Sequence, residues 1–410
     1  MVLFAMPYMM ALLTELLPLP RFVIYAADLA WITLLFCLVF RKKKQESIAI
    51  RILLIFAGVF ALYTFIGYLF HFQSGLYYLW GVRNNFRYYV AFAGFALLLT
   101  QEKIDDLLGF LDRLFWLNAV ITLVQFFILG YMRDDLGGIF GTASGCNAFT
   151  NIFLLIIALK TILWYLEKKE KLWLVLAKCG TCFLISALAE LKFFFVEFAL
   201  ILVFALLMTR FSWRKFSIVI MAVIGVSLGL MLLVQVFPEY ADFFSLNEIF
   251  QSASGEQGYT GAGDLNRLTA IGEIQDMFFP KLSDKLFGLG LGNCDTASYD
   301  FLTTPFFEQY SAMHYSWLST AYTFLETGYV GLVFFFGFFV LCFVVISWLM
   351  KENRCNKLHG NLARIMAVMC CIIAVYNSSL RTEAGYMAYF VLALPFVRQN
   401  QKTGVVGLLV

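Results

Sequence analysis

Apolar runs long enough to cross a lipid bilayer recur along almost the whole chain, and they restrict its fold more than any other feature. A membrane-spanning helix needs roughly 20 largely apolar residues. Runs of this kind occupy residues 2–19, 22–40, 50–70, 86–100, 114–131, 148–166, 172–189, 193–209, 216–237, 328–350, 362–380 and 384–398. Only 14% of the residues are charged, against about 25% in soluble domains. The sequence therefore predicts an all-α integral membrane protein with about twelve transmembrane helices.

The basic residues between these runs indicate an orientation, because Lys and Arg are retained in cytoplasmic loops. Those on one side of the proposed topology are Arg41, Lys42, Lys43, Lys44, Lys103, Arg113, Lys168, Lys169, Lys171, Arg210, Arg214, Lys215, Lys351, Arg354, Lys357, Arg364, Arg398 and Lys402. We expect that side to be cytoplasmic, with both termini inside. The first run lacks a basic segment and a small-residue cleavage site, so we expect a retained helix rather than a signal peptide. The modest net charge of +3 gives no indication of nucleic acid binding.

One long outer loop, 238–327, separates N-terminal spans (1–237) from C-terminal spans (328–410). Its Gly/Ser-rich run 251–264 is predicted to be mobile. Asp264 is predicted to cap an amphipathic helix that ends before Pro280, since apolar residues recur at helical spacing between them. A second helix is predicted from His314 to Glu326 at the outer interface. This loop is where an otherwise apolar chain could act on a polar substrate.

Several cations are expected at the outer face, although outer loops are normally depleted of Lys and Arg. They are Arg83, Arg87, Arg133, Lys192, Arg267 and Arg381, joined by Lys281 and Lys285 in the long loop. Each alone is explained by a stem that lies on apolar surface while the head reaches water, and Glu190 and Glu197 could neutralise Lys192. Together they indicate a site for an anion such as a lipid-linked pyrophosphate, because arginine forks bind phosphate oxygens bidentately. Arg83 and Arg87, four residues apart, would face the same side at the entrance of a span.

His314 is a candidate general base toward a sugar hydroxyl. A lone histidine is usually structural, but this one begins a predicted helix in the same loop as Arg267. No cluster of His, Cys or Asp shows metal-ligand spacing, so we predict no metal site and no other cofactor.

The nine cysteines fall mostly in apolar runs, where they act as small hydrophobic side chains. Cys179 and Cys182 have the spacing of a redox motif, but their apolar surroundings favour a packing role. Cys146 and Cys294 are expected on the outer side, and whether they form a disulfide is left open.

Five motifs follow one another along the chain. They are GIFGTASGCN (138–147), AELK (189–192), Arg267 in the predicted amphipathic helix, FGLGLGN (287–293) and HYSWLSTAYTFLETGYVG (314–331). In this order they resemble the O-antigen ligase and polysaccharide polymerase superfamily of bacterial cell envelopes. The last is similar to that family's His-Asn-x-x-Leu…Glu-x-Gly-x-x-Gly signature, with Tyr315 in place of the common Asn. Lys192 stands where Arg is frequent, and an ammonium cannot form a bidentate fork.

The resemblance implies a GT-C-like glycosyltransferase of the bacterial inner membrane with an extracytoplasmic active site. It implies inverting, metal-independent transfer of a glycan from an undecaprenyl-pyrophosphate carrier to an acceptor hydroxyl. Lys192 and Arg267 would hold the pyrophosphate, and His314 would orient or deprotonate the acceptor. Further candidates for the same anion are Arg83, Arg87 and Arg381.

Three functions remain open at the level of sequence. A polymerase would join lipid-linked repeat units into capsule, exopolysaccharide or O-antigen chains, alongside a flippase and a chain-length regulator. A ligase would pass a finished glycan to another acceptor. A twelve-span flippase or secondary transporter is the alternative from another class, but transporters tend to show related halves and broken helices, and neither is visible here. A structural or receptor role is the last alternative.

Overall fold

The computed structural model describes residues 1–17, 25–40, 47–71, 73–143, 145–209, 212–238, 264–297 and 299–397. Within these ranges the chain is helical and contains no strand. Residues 251–263 of the predicted mobile run lie outside the described residues. The basic residues at 41–44, 210, 398 and 402 lie outside them as well. The all-α class is confirmed for the part of the chain that is described.

Helices occupy every predicted apolar run. They are α1 (Val2–Ala11), α2 (Ala26–Val39), α3 (Ile48–His71), α4 (Gly75–Leu98), α5 (Gln101–Phe127), α6 (Cys146–Leu166), α7 (Leu172–Leu188), α8 (Lys192–Met208), α9 (Trp213–Val236), α10 (Ala270–Phe278), α11 (Leu282–Phe287), α12 (Pro305–Tyr310), α13 (Ser319–Lys351), α14 (Lys357–Tyr376) and α15 (Gly385–Ala393), with α10, α11 and α12 in the long loop. Among the described residues, six helices are long and apolar enough to cross a membrane, namely α3, α5, α6, α9, α13 and α14. The chain therefore has the character of a helical membrane protein, while the number of twelve spans stays a prediction.

Helix α6 is the most enclosed of these six, since 89% of its most apolar stretch is buried inside the protein. Most of its side chains are apolar, and Ile152, Leu155, Leu159 and Leu163 are fully buried. A helix with so few polar side chains is stable when other helices surround it. Helices α7, α8 and α14 pack against it.

The two ends of the helix bundle are distinguished by the long loop, which packs against only one of them. Ser319, at the start of α13, donates from its backbone N–H and its hydroxyl to the carbonyl of Asn377, just after α14, at 3.1 and 2.8 Å. The long loop lies at this end, which we call the loop end. The opposite helix ends carry Lys168, Lys169, Lys171, Arg214, Lys215, Lys351 and Lys357.

The first predicted loop helix is wrong over its first residues. Helix α10 begins at Ala270, with Thr269 rather than Asp264 at its N-cap. The preceding residues pair with another segment, because the N–H of Leu265 donates to the carbonyl of Met313 at 3.1 Å. Arg267 therefore lies before the amphipathic helix and not within it.

The second predicted loop helix is also interrupted. His314 has a φ of +52°, in the left-handed region where a right-handed helix cannot continue. A 3₁₀ turn, Tyr315–Trp317, follows it, and α13 begins only at Ser319 and continues into the predicted span. A kink at Gly328, with φ of +64°, separates the loop-end part of α13 from the rest.

The glycine-rich turn 287–293 packs directly on α4. A Cβ at Gly81 would lie 2.5 Å from the backbone nitrogen of Gly292. Gly292 itself has a φ of +81°, which favours glycine. This contact holds the glycine-rich turn against the first two turns of α4.

All nine cysteines are free thiols. The Cys146 thiol donates to the carbonyl of Asp134 at 3.1 Å. Cys294 is buried, and its carbonyl accepts from the Tyr315 hydroxyl at 2.7 Å. Burial raises the pKa of the Cys294 thiol well above its usual value, so this thiol stays protonated and unreactive. The disulfide that the sequence left open is not formed.

Candidate functional site

A pocket of about 340 Å³ lies at the loop end of the bundle, between α4, residues 295–297 and residues 378–383. Arg83, Arg87 and Arg381 line it, together with Asp295 and Glu383. Arg87 and Arg381 are 294 positions apart in the chain. The structure thus brings the three arginines that were further candidates in the sequence analysis around one space.

Arg83 is held by a bidentate ion pair. Its Nε and Nη2 donate to the two carboxylate oxygens of Asp28 on α2, at 2.8 and 3.2 Å, and its Nη1 donates to Asn84 at 2.6 Å. Its guanidinium carbon lies 4.7 Å from the ring centre of Trp80. Helix α4 begins at Gly75, well before the predicted span start at 86, so Arg83 lies within the helix and not at its entrance.

Arg87, one turn further along α4, is 3% exposed and pairs with Glu383 at 2.6 Å. Its Nη2 also donates to the Tyr88 hydroxyl at 2.6 Å and to the carbonyl of Arg381 at 3.4 Å. Its Nε is buried and has no partner among the described residues. Burial acts to raise the pKa of Glu383, but Arg87 and Arg83 outweigh it and hold that pKa below its usual range.

Arg381 lies at the end of a 3₁₀ turn, Ser379–Arg381, between α14 and α15. Its Nη2 donates to Glu326 on α13 at 2.7 Å, and its Nη1 donates to Thr323 at 3.3 Å. Its guanidinium carbon lies 3.7 Å from the ring centre of Tyr322. Burial acts to lower the pKa of Arg381. Glu326 and other neighbours have a larger opposite effect, so the pKa lies above its usual value and the guanidinium stays charged.

Asp295 is a pocket residue that the sequence analysis did not identify. Its carboxylate accepts hydrogen bonds from the Tyr322 hydroxyl, the Asn84 amide and, at 2.9 Å, the N–H of Thr296. The sequence feature that could have identified Asp295 is its position directly after the FGLGLGN turn and Cys294. Glu326 and Glu383 were missed as well, although Glu326 belongs to the last motif.

His314 contacts the carboxylate of Asp264 through Nδ1. Its ring stacks on Trp317 with the centres 3.9 Å apart, and its side chain is 39% exposed. A carboxylate at Nδ1 orients an imidazole so that Nε2 can accept a proton. Ser316, two residues further, lines the arginine pocket.

Arg267 packs against the end of α14. Its Nε donates to the carbonyl of Tyr376 at 2.9 Å, and its guanidinium carbon lies 4.4 Å from the centre of that residue's ring. The Tyr376 ring stacks in turn on Phe193, at 3.8 Å, directly after Lys192 in the chain. Ser378, two residues after Tyr376, lines the arginine pocket.

Lys192 begins α8 and pairs with Glu190 at 3.0 Å. Glu190 also pairs with Arg133 at 3.4 Å. Glu197 is buried in α8 and accepts from the Asn151 amide at 2.9 Å. The salt-bridge alternative for Lys192 is therefore present with Glu190, while Glu197 has a separate partner.

All six candidate residues lie at the loop end, but in two groups. Arg83, Arg87 and Arg381 line the pocket itself. His314, Arg267 and Lys192 do not line it, whereas Ser316, two residues after His314, and Ser378, two residues after Tyr376, do. Comparison with known proteins gives no match to any family model or to any curated protein.

Proposed function

We propose that this protein is a bacterial surface-polysaccharide polymerase of the inner membrane. It transfers glycan units from an undecaprenyl-pyrophosphate carrier to an acceptor sugar hydroxyl, with inversion and without a metal ion. The observation that carries the proposal is the convergence of three guanidiniums on one pocket at the loop end of an apolar helix bundle. The resemblance of the five motifs to the O-antigen ligase and polymerase superfamily supports the same function.

The pocket suits the head group of a lipid-linked diphosphate. Three arginines and two carboxylates, Asp295 and Glu383, line it. Asp28 pairs with Arg83, and Glu326 pairs with Arg381. Neither carboxylate lines the pocket, and each orients its arginine. Each guanidinium has five N–H donors, so donors remain for phosphate oxygens. A volume of about 340 Å³ also falls in the usual range of ligand sites.

The position of the pocket suits a lipid carrier. Apolar helices long enough to cross a membrane begin or end beside it. A polyprenyl chain could therefore stay in the bilayer while its diphosphate enters the pocket from the membrane surface. The acceptor glycan would arrive from the aqueous side, next to the exposed imidazole.

In the proposed reaction, His314 accepts the proton of the acceptor hydroxyl at Nε2 while Asp264 stabilises the resulting imidazolium. The hydroxyl oxygen forms the new bond to the anomeric carbon on the face opposite the diphosphate, which gives inversion. The diphosphate leaves with the electron pair of the broken bond. Its charge is stabilised by Arg83, Arg87 and Arg381. Arg267 and Lys192 add positive charge at the loop end, and the imidazolium then releases its proton to water.

Complementation of a deletion strain tests this function. Loss of a polymerase leaves single repeat units on the carrier lipid, whereas loss of a ligase leaves long chains on it. We expect the wild-type gene to restore long chains, and His314→Ala and Arg381→Ala to leave single units although the protein is inserted in the membrane. Full chain extension by either variant would contradict the proposed mechanism, and long carrier-bound chains in the deletion strain would favour the ligase.

A further inference from the structure

Four aromatic rings run outward from the arginine pocket. The ring centres of Trp80 and Tyr25 are 6.2 Å apart, those of Tyr25 and Tyr299 5.6 Å, and those of Tyr299 and Phe301 5.7 Å. The last two pairs are stacked, with interplanar angles of 25°. These residues come from α4, from the residue before α2, and from the loop, and we call them the aromatic ladder.

The aromatic ladder reaches the pocket at one end, and the rings at its other end are exposed. Trp80 and Tyr25 line the pocket, and the guanidinium carbon of Arg83 lies 4.7 and 5.9 Å from their ring centres. Tyr299 is 42% exposed and Phe301 is 64% exposed. An exposed strip of aromatic surface that begins at a cation site and leads away from it has the layout of an extended ligand site.

Polar groups lie beside the rings. The Trp80 indole N–H donates to the carbonyl of Thr296 at 3.3 Å. The hydroxyls of Thr296 and Thr303, three and four positions from Tyr299 in the chain, are 3.4 Å apart. A pyranose ring needs both kinds of neighbour, because its C–H face is apolar and its edge carries hydroxyls. Aromatic rings supply large, rigid apolar faces for such contacts at little entropic cost.

We infer that the aromatic ladder binds the pyranose rings of the glycan whose diphosphate occupies the arginine pocket. This inference rests on the proposed function for the link between sugar and diphosphate. It assigns the anionic end of the donor to the three arginines and its sugar chain to Trp80, Tyr25, Tyr299 and Phe301.

Saturation-transfer NMR on the full chain in nanodiscs tests this assignment without requiring catalysis. The probe is the set of oligosaccharides released by mild acid from the surface polysaccharide of the source cells. We expect binding to wild type and to His314→Ala, and about tenfold weaker binding to the double variant Tyr299→Ala/Phe301→Ala. The matched control is Phe127→Ala, another exposed aromatic (71%) at the loop end, outside the ladder.

The outcomes separate the two proposals. Equal binding by wild type and the double variant, or no binding by wild type, would overturn the ladder assignment. Equal loss of binding in Phe127→Ala would show that the rings only anchor the protein in the membrane surface, which also overturns it. Retained ladder-dependent binding together with full chain extension by His314→Ala would refute the proposed mechanism and leave the sugar site standing.

Discussion

Arg381 and Glu326 form an ion pair, 2.7 Å long, beside the pocket. Glu326 is fully buried on α13, and its other oxygen accepts from the N–H of Gly292 at 2.9 Å. Arg381 comes from the turn between α14 and α15, and Gly292 from the glycine-rich turn on α4. The Glu326 carboxylate therefore fixes the positions of Arg381, the glycine-rich turn and α13 relative to one another.

Glu326→Gln should destabilise the protein by about 3 kcal/mol or more, because removing one partner of a buried ion pair leaves the other charge uncompensated. Thermal unfolding of the purified protein in detergent measures this loss. The control is Glu308→Gln, which changes an exposed carboxylate on α12 and should have little effect. Equal melting temperatures for wild type and Glu326→Gln would show that the pair does not hold the pocket together.

Asp264→Asn should lower the rate of glycan extension by about 10²-fold or more while leaving donor binding in place, because an amide cannot stabilise the imidazolium that forms at His314. Extension by isolated membranes with a lipid-linked donor measures the rate. Asp276→Asn, an exposed change on α10, is the matched control. An unchanged rate in Asp264→Asn would mean that the carboxylate only fixes the loop.

Arg87→Lys should weaken donor binding more than it slows the bound reaction. A lysine keeps the charge but loses the fork that now contacts Glu383, the Tyr88 hydroxyl and the carbonyl of Arg381. We expect KM for the donor to rise about tenfold. The control is Arg354→Lys, at the opposite end of the bundle, which should leave KM unchanged. Equal KM values for wild type, Arg87→Lys and Arg354→Lys would mean that the donor binds elsewhere.

The sequence predicted the helices well because each depends on a local property, the length of an apolar run. It failed where distant segments pair. The helix expected from Asp264 begins only at Ala270, because Leu265 bonds to Met313. The helix expected from His314 is broken, because that residue adopts a left-handed conformation between two 3₁₀ turns.

For the arginine pocket, the sequence identified the cations but not their partners. An arginine in an outer loop is conspicuous against the positive-inside bias, whereas a glutamate such as Glu383 is not. Asp295 reaches the pocket only because the turn before it packs on α4, a contact between residues far apart in the chain. The grouping of Arg83 and Arg87 with Arg381 depends on the same packing and has no local signature.

Glu383→Gln should change how stability depends on pH. The pKa of Glu383 lies below its usual value of 4.5 in the folded protein, so its ion pair with Arg87 stabilises the fold fully above pH 4.5 and is lost as the pH falls through the lowered pKa. The stability difference between wild type and Glu383→Gln should therefore be greatest near neutral pH and shrink below pH 4.5. Melting curves from pH 7 to pH 3 measure it, with the exposed Glu352→Gln as control, and a constant difference would exclude this linkage.

Gly292→Ala should disrupt the pocket from a position that does not line it. Gly292 has a φ of +81°, and a Cβ there would overlap the carbonyl oxygen of Tyr77 on α4. We expect a loss of about 2 kcal/mol or more in unfolding free energy, and a loss of chain extension, because the turn that precedes Asp295 must move off α4. Gly272→Ala is the matched control, since a Cβ at this helical glycine meets nothing within 4 Å and should be neutral or slightly stabilising. If both variants extended chains like wild type, the contact between the glycine-rich turn and α4 would not be what positions the site.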